Sequence, residues 1–302
     1  MKVLIAGGTG FLGHYLARSL LADAHRVWVL TRRHKGSPTG VTSLPWDGRT
    51  LGAWAQVMDE ADAVVNLVGL SLNSWPWTKR RKRQFHDSRV DPGQALVSAV
   101  EQASRRPAVF VQVSGINHYG LRGAGIADEA APPGEDYLSQ LTVAWESSTA
   151  PIETLGVRRV VCRTAVVLAH DAALFWLMAL PVRLFLGGPL GDGGQALPWI
   201  HIEDWVSAIR FLMDRPGAQG AYNLIAPTPT SNAEFIRGLA VVYRRPYWFH
   251  VPAALLHLVL GEMGVLVTQG RYAEPRRLAR LGYQFRFPDL ESALENLVSK
   301  EP

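Results

Sequence analysis

Residues 2–13 read Lys2-Val3-Leu4-Ile5-Ala6-Gly7-Gly8-Thr9-Gly10-Phe11-Leu12-Gly13. The apolar run Lys2–Ala6 predicts a buried strand. Behind it, Phe11, Leu12, Tyr15, Leu16 and Leu20 recur at helical spacing. The glycines between them sit where a nucleotide-binding turn needs them. Gly7 permits the tight turn, Gly10 lets the backbone approach a pyrophosphate, and Gly13 lets the new helix pack on the strand. Backbone N–H groups and the helix dipole then hold the anion. The expected contacts are Gly7, Thr9, Gly10, Phe11, Leu12 and Gly13.

Further along, Arg26–Leu30, Val41–Leu44, Ala63–Val68, Val109–Val113 and Val157–Arg163 read as more strands, separated by amphipathic helical stretches. This alternation predicts an α/β fold of the Rossmann type, a doubly wound parallel sheet with helices on both faces. The second half holds a glycine-rich loop at 187–194, a helix at 202–213 with Glu203 and Asp204 in its first turn, a strand at 221–225 and a helix near 290–297. The expected layout is a dinucleotide domain over 1–164, rejoined by 196–226. A smaller, discontinuous substrate or cap domain takes 165–195 and 227–302. Ala172–Leu186 and Pro252–Leu260 are expected to supply its core, with an apolar substrate channel as the alternative.

The second strand ends in Leu30-Thr31-Arg32-Arg33-His34-Lys35. An NAD enzyme places an acid there for the ribose 2′-hydroxyl, but no acid occurs between Asp23 and Asp47. Arginines suit a 2′-phosphate, which takes charge-assisted, bidentate donors. Thr31, Arg32 and Arg33 therefore predict NADP(H). Asn66-Leu67-Val68-Gly69 closes the fourth strand, and Gly69 would let the backbone pass under the cofactor.

Composition narrows the function classes. Of 302 residues, 48% are hydrophobic and 19% charged, which excludes a disordered chain. The net charge of +5 sits almost wholly in residues 79–89, which hold Lys79, Arg80, Arg81, Lys82, Arg83 and Arg89 against Asp87. A basic coating for nucleic acid is therefore not expected. The run reads instead as a solvated helix face, with Arg81 and Phe85 at helical spacing; a patch for nucleic acid or another anionic partner and a place beside the cofactor or substrate are the alternatives. The single cysteine, Cys162, excludes an internal disulfide. No apolar run reaches the ~20 residues of a spanning helix, and the first residues are too short for a signal peptide. A cytoplasmic protein without a membrane span or metal site is expected.

GGTGFLG, NLVG, SGINHYG and PWIHIEDW resemble the extended short-chain dehydrogenase/reductases, the group containing nucleotide-sugar epimerases. The order WTKRRKRQFHDSRV, DYLSQLTVAWE, RLFLGGPLGDGGQALPWIHIEDW, APTPTSNAEF, GEMG and LGYQFRFPDLESAL is similar to the branch whose members are labelled "epimerase family protein". The resemblance spans nearly the whole chain. It implies a Rossmann fold, a nicotinamide cofactor, a small C-terminal domain and, often, a homodimer. It brings no substrate.

The resemblance also poses a test. Catalysis in that superfamily uses a Tyr, a Lys four residues later, and a Ser or Thr. The chain has five lysines, Lys2, Lys35, Lys79, Lys82 and Lys300, and none follows a tyrosine by four. Tyr137 matches the family position, with Leu141 where Lys would stand. A shift of one gives Leu138 and Thr142. Ser114 corresponds to the family's Ser. Tyr119 matches its Tyr-Gly element, and His201 lies in a segment that borders the substrate pocket in the family. Tyr137 and Ser114 are thus the catalytic candidates, with Tyr119 and His201 as pocket candidates. The expected activity is that of an NADP(H)-dependent oxidoreductase or epimerase-like enzyme on a small carbonyl or hydroxyl compound. The alternative is a catalytically silent NADP(H) sensor or scaffold.

Overall fold

The structure, a computed structural model, describes residues 1–32, 36–123 and 125–301. Seven parallel strands make the main sheet: β1 (Lys2–Ala6), β2 (Arg26–Thr31), β3 (Thr42–Pro45), β4 (Ala63–Asn66), β5 (Val109–Gly115), β6 (Arg158–Thr164) and β9 (Gly220–Leu224). Their spatial order is β3-β2-β1-β4-β5-β6-β9. β7 (Val166–Leu168) and β8 (Trp199–His201) pair in a separate small parallel sheet.

Side chains of one strand point alternately to the two sides of the sheet. Val3 and Ile5 therefore join one core cluster, with Leu16 and Leu20 of α1 (Phe11–Ala22). Leu4 and Ala6 join the opposite cluster, with Leu96 and Val100 of α2 (Lys79–Gln102). Both faces are covered, which is why these strands read as unbroken apolar runs rather than alternating ones. Each such side chain contributes on the order of 1.5–3 kcal/mol when buried. α3 (Tyr137–Ser147) packs beside α2, and the short α4 (Pro151–Thr154) leads into β6.

The rest of the chain is mostly helical. It comprises α5 (Ala173–Arg183), α6 (Ile202–Asp214), α7 (Asn232–Val242), α8 (Ala253–Leu260), α9 (Val265–Thr268), α10 (Arg276–Arg280) and α11 (Leu290–Ser299). α6 lies against α1 and its Trp205 and Ile209 are fully buried.

Three expectations need correction. The fourth strand stops at Asn66, not Val68, because the Asn66 Oδ1 accepts the Val68 N–H at 3.2 Å and turns the chain. The 172–186 and 252–260 segments are not both core. α5 buries Phe175, Ala179 and Val182, but α8 has no buried residue at all. The basic run is a solvated face only in part. Lys79, Arg80 and Arg83 are exposed, whereas Lys82 is part-buried and Arg89 is buried. Positions 82, 85 and 89 share one helix face, and Phe85 commits that face to the interior.

Candidate functional site: a glycine crevice and an adjoining cleft

The order of the main sheet reverses between β1 and β4, and a doubly wound sheet opens a crevice beyond its strands at such a point. There Gly7 has φ +82, and a Cβ on it would lie 3.1 Å from the Leu67 carbonyl carbon. A Cβ on Gly13 would lie 2.5 Å from the Gly8 Cα, so only glycine allows α1 to start this close to β1. Gly10 caps α1 without any side-chain hydrogen bond, and no acid lies in the first turn. The amides of that turn are thus open to an anion. Gly10, Phe11 and Gly69 are exposed, and Thr9, Leu12, Leu67 and Val68 are half-buried around them. The residues present fit a dinucleotide.

At the adenosine end, Thr31 is buried and Arg32 is exposed at the end of β2. Arg33 lies outside the described residues. Asn66 does not reach the crevice: it is fully buried and donates to the Gln112 Oε1 at 2.9 Å, so it shapes the turn from below.

A cleft of about 630 Å³ opens around Tyr137; it shares no lining residue with the crevice, but Arg89 lies beside both. The walls of the cleft come from the loop before α2, from α2, from the turn after β5, from the start of α3, and from the 262–269 segment. Tyr137 stands in it, with Trp77 edge-on at 6.0 Å. The Tyr137 hydroxyl donates to the Lys82 carbonyl at 3.1 Å. The Lys82 ammonium lies 4.8 Å from the Tyr137 ring centre and pairs with Glu262 at 2.7 Å. Burial raises the Tyr137 pKa above its ordinary value, and the Arg89 charge pulls the other way.

Arg89 is the residue that links crevice and cleft. Its side chain is buried, and its guanidinium carbon would lie 3.4 Å from a Cβ on Gly69. It stacks 4.8 Å from the Trp145 ring centre and donates to the Phe85 carbonyl at 3.1 Å. Among the described residues no carboxylate pairs with it. Burial pushes its pKa down to about 10, with the nearby Tyr137 opposing. A buried guanidinium with no counter-charge is costly unless something anionic or strongly accepting meets it. Lys82 and Arg89 belong to the basic run whose first reading is a solvated face, and neither follows a tyrosine by four residues. The signal was their shared helix face with Phe85.

The other candidates do not face the cleft. Ser114 is 2% exposed and donates to the Glu146 Oε1 at 2.7 Å. Arg163 grips the same carboxylate with two bonds of 2.9 Å. Tyr119 is buried on this network: it accepts from Arg163 at 2.9 Å and donates to the Asn223 Oδ1 at 2.8 Å. It braces the β5 turn from behind and is not a wall of the cleft. His201 is likewise buried, not a pocket residue. It caps α6 by accepting the Glu203 N–H and stacks on Phe287 at 3.9 Å. Burial holds its pKa down at about 4.

Comparison with known proteins agrees with this architecture. Residues 3–224 match the family described as NAD dependent epimerase/dehydratase family, and residues 251–297 match a domain of unknown function, DUF1731. The Bacillus subtilis epimerase family protein YfhF is 33% identical over 99% of this chain and 98% of its own. The human epimerase family protein SDR39U1 is 33% identical over 99% of this chain and 100% of its own. A crystal structure of human SDR39U1 (isoform 2) with NADPH superposes with a TM-score of 0.89 at 31% identity, covering 99% of this chain and 100% of that one. The chain belongs to the NAD dependent epimerase/dehydratase family and shares the extended short-chain dehydrogenase/reductase fold and C-terminal domain of its epimerase family proteins.

Proposed function

We propose that the protein binds NADP(H) in the glycine crevice and reduces a small, uncharged carbonyl compound in the Tyr137 cleft. The observation that carries this reading is Arg89, a buried and unpaired cation lying between Gly69 of the crevice and Tyr137 of the cleft. The NADPH-bound relative supports the cofactor, and Arg32 suits the 2′-phosphate. Gly7, Thr9, Gly10, Phe11, Leu12 and Gly13 would hold the pyrophosphate, and Leu67, Val68 and Gly69 would pass beneath the nicotinamide side.

The nicotinamide supplies hydride; the chain must supply position and a proton. Tyr137 brings a hydroxyl proton to the cleft, while the Lys82 ammonium is held by Glu262. Because burial raises the Tyr137 pKa, the phenol is protonated at neutral pH. It therefore serves as an acid towards a forming alkoxide and not as a base, which favours reduction over oxidation. Releasing its hydroxyl from the Lys82 carbonyl costs about 1 kcal/mol. Lys82 and Arg89 place positive charge beside the phenol from α2, where the usual site has a lysine on the tyrosine's own helix. Three acids, Glu135, Asp136 and Glu262, face two cations, Lys82 and Arg122, around the cleft. That balance suits an uncharged substrate better than a nucleoside diphosphate sugar.

A second reading, an NADP(H)-binding protein without turnover, is favoured by Ser114, whose hydroxyl is committed to Glu146. A screen of carbonyl compounds for NADPH oxidation, run beside Tyr137→Phe, separates the two. The enzyme reading expects at least one compound whose reduction depends on Tyr137. NADPH binding with no turnover, or turnover untouched by Tyr137→Phe, overturns it.

A further inference from the structure

The C-terminal half carries an apolar face that the proposed reaction does not use. Among the described residues, eleven of the sixteen exposed large hydrophobic side chains lie in two segments, 172–191 and 235–261. Trp176, Phe185, Trp248 and Leu258 are 50%, 52%, 66% and 82% exposed. The two segments form one surface. The Trp248 indole N–H donates to the Phe185 carbonyl at 2.9 Å, and the Trp248 and Phe249 amides both donate to the Gly187 carbonyl. A Cβ on Gly188 would collide with the Phe249 carbonyl, so glycine is what lets the segments meet. Two residues of this surface, Phe185 (φ 65) and Arg244 (φ 53), hold left-handed backbone although neither is glycine. Such a conformation costs on the order of 1–3 kcal/mol, and at Phe185 it turns a large ring out to solvent.

α8 makes the same point at the level of a whole helix. Its sequence, AALLHLVL, is apolar on every side, yet none of its residues is buried. A helix of that composition belongs in a protein core or a lipid environment, and the described residues of its own chain cover it only in part.

Charge distinguishes the possible partners. Neither segment contains an acid, while Arg183, Arg237, Arg244 and Arg245 are all present. Arg183 pairs with Glu301 at 3.4 Å. Arg237 and Arg245 lie over the rings of Tyr247 and Phe185, and Arg244 and Arg245 are exposed. Exposed Trp and Phe rimmed by arginine is the composition of a surface that sits at the water–lipid boundary. A second copy fits less well, because a two-fold pairing on this face would set the exposed Arg244 and Arg245 of the two copies together, and the nearby acids Glu262 and Glu301 already pair with Lys82 and Arg183.

We propose that this face docks the protein peripherally on an anionic lipid bilayer. α8 runs directly into the segment that supplies Glu262 and Val265 to the cleft, so docking would bring the cleft close to the membrane surface. No described helix is long and apolar enough to cross a membrane, so the attachment is to one leaflet. The inference does not depend on the proposed reaction.

The test is co-sedimentation of the full chain with vesicles of phosphatidylcholine alone and of phosphatidylcholine with phosphatidylglycerol, beside sedimentation equilibrium without lipid. Binding to the anionic vesicles is expected, about tenfold or more tighter than to the neutral ones and weakened by salt. Leu258→Glu with Val259→Glu should abolish it, and Arg244→Glu with Arg245→Glu should remove the preference for anionic lipid. Both pairs are exposed, so unchanged thermal unfolding and NADPH binding confirm that the variants fold. Absence of binding to either vesicle overturns the proposal. So does a lipid-free dimer that Leu258→Glu dissociates while the wild-type protein ignores vesicles.

Discussion

The glycine crevice and the Tyr137 cleft both lie beside Arg89 but are built by different rules. The crevice is mainly local: one strand, one turn and one helix within residues 2–22 carry its glycines, Gly10 and Gly13 answer close approaches by the backbone of Gly7 and Gly8, and only Gly7 and Gly8 make room for distant neighbours, Leu67 and the Val29 side chain. The cleft is assembled from four separate stretches of chain, 77–82, 120–122, 134–138 and 262–269. Its tyrosine stands on α3, Lys82 on α2, Arg122 after β5, and Glu262, which pairs with Lys82, beyond α8. A local site is fixed by spacing in the chain. An assembled one is fixed by which helix faces meet, and a residue type missing from one helix can be supplied by another.

The largest expected effect tests the local side. Gly13→Ala places a Cβ 2.5 Å from the Gly8 Cα. It should lower stability by about 1–3 kcal/mol and remove NADPH binding, as read by urea unfolding and fluorescence titration. The next tests the assembled side. Tyr137→Phe should reduce turnover of a responsive carbonyl compound by about 10²–10⁴-fold while leaving NADPH affinity within twofold or so. Wild-type turnover should stay level across neutral pH and fall only at alkaline pH, since the raised pKa keeps the phenol protonated. Arg32→Ala should weaken NADPH by about 10- to 150-fold and leave NADH nearly unaffected. Equal losses for both cofactors would place the 2′-phosphate elsewhere. The smallest effect concerns His201, which belongs to neither region. A free imidazole titrates near ~6.5, while burial holds His201 at about 4. Below pH ~6.5 the unfolded chain takes up a proton that the folded one refuses. Stability should therefore decline as pH falls from about 6.5 towards 4. His201→Asn, which can still cap α6, should flatten that slope without changing turnover.

How far the sequence predicted each region follows from the same distinction. The main-sheet strands read clearly because burial on both faces leaves unbroken apolar runs, whereas β7 and β8, three residues each, leave no periodic signature. Ser114, Tyr119 and His201 carried family-like motifs that look the same whether the side chain faces a ligand or the interior. Their direction is set by partners far along the chain, namely Glu146, Arg163 and Phe287. Lys82 and Arg89 had the opposite fate. They were counted as surface charge, although their register with Phe85 turns them inward. α8 reads as core by composition, and only the tertiary structure shows that the described chain leaves none of its residues buried.

The central claim is that α2 provides, through Arg89, the cation that joins cofactor and tyrosine. It is tested most directly by titrating NADPH into Arg89→Met and the wild-type protein while following thermal unfolding. The change removes a buried charge that no carboxylate among the described residues pairs with and keeps most of the side-chain volume. The account predicts NADPH affinity reduced about tenfold or more, with unfolding at the same temperature or higher. Unchanged affinity, or a loss of affinity explained by a collapse in unfolding temperature, would contradict it.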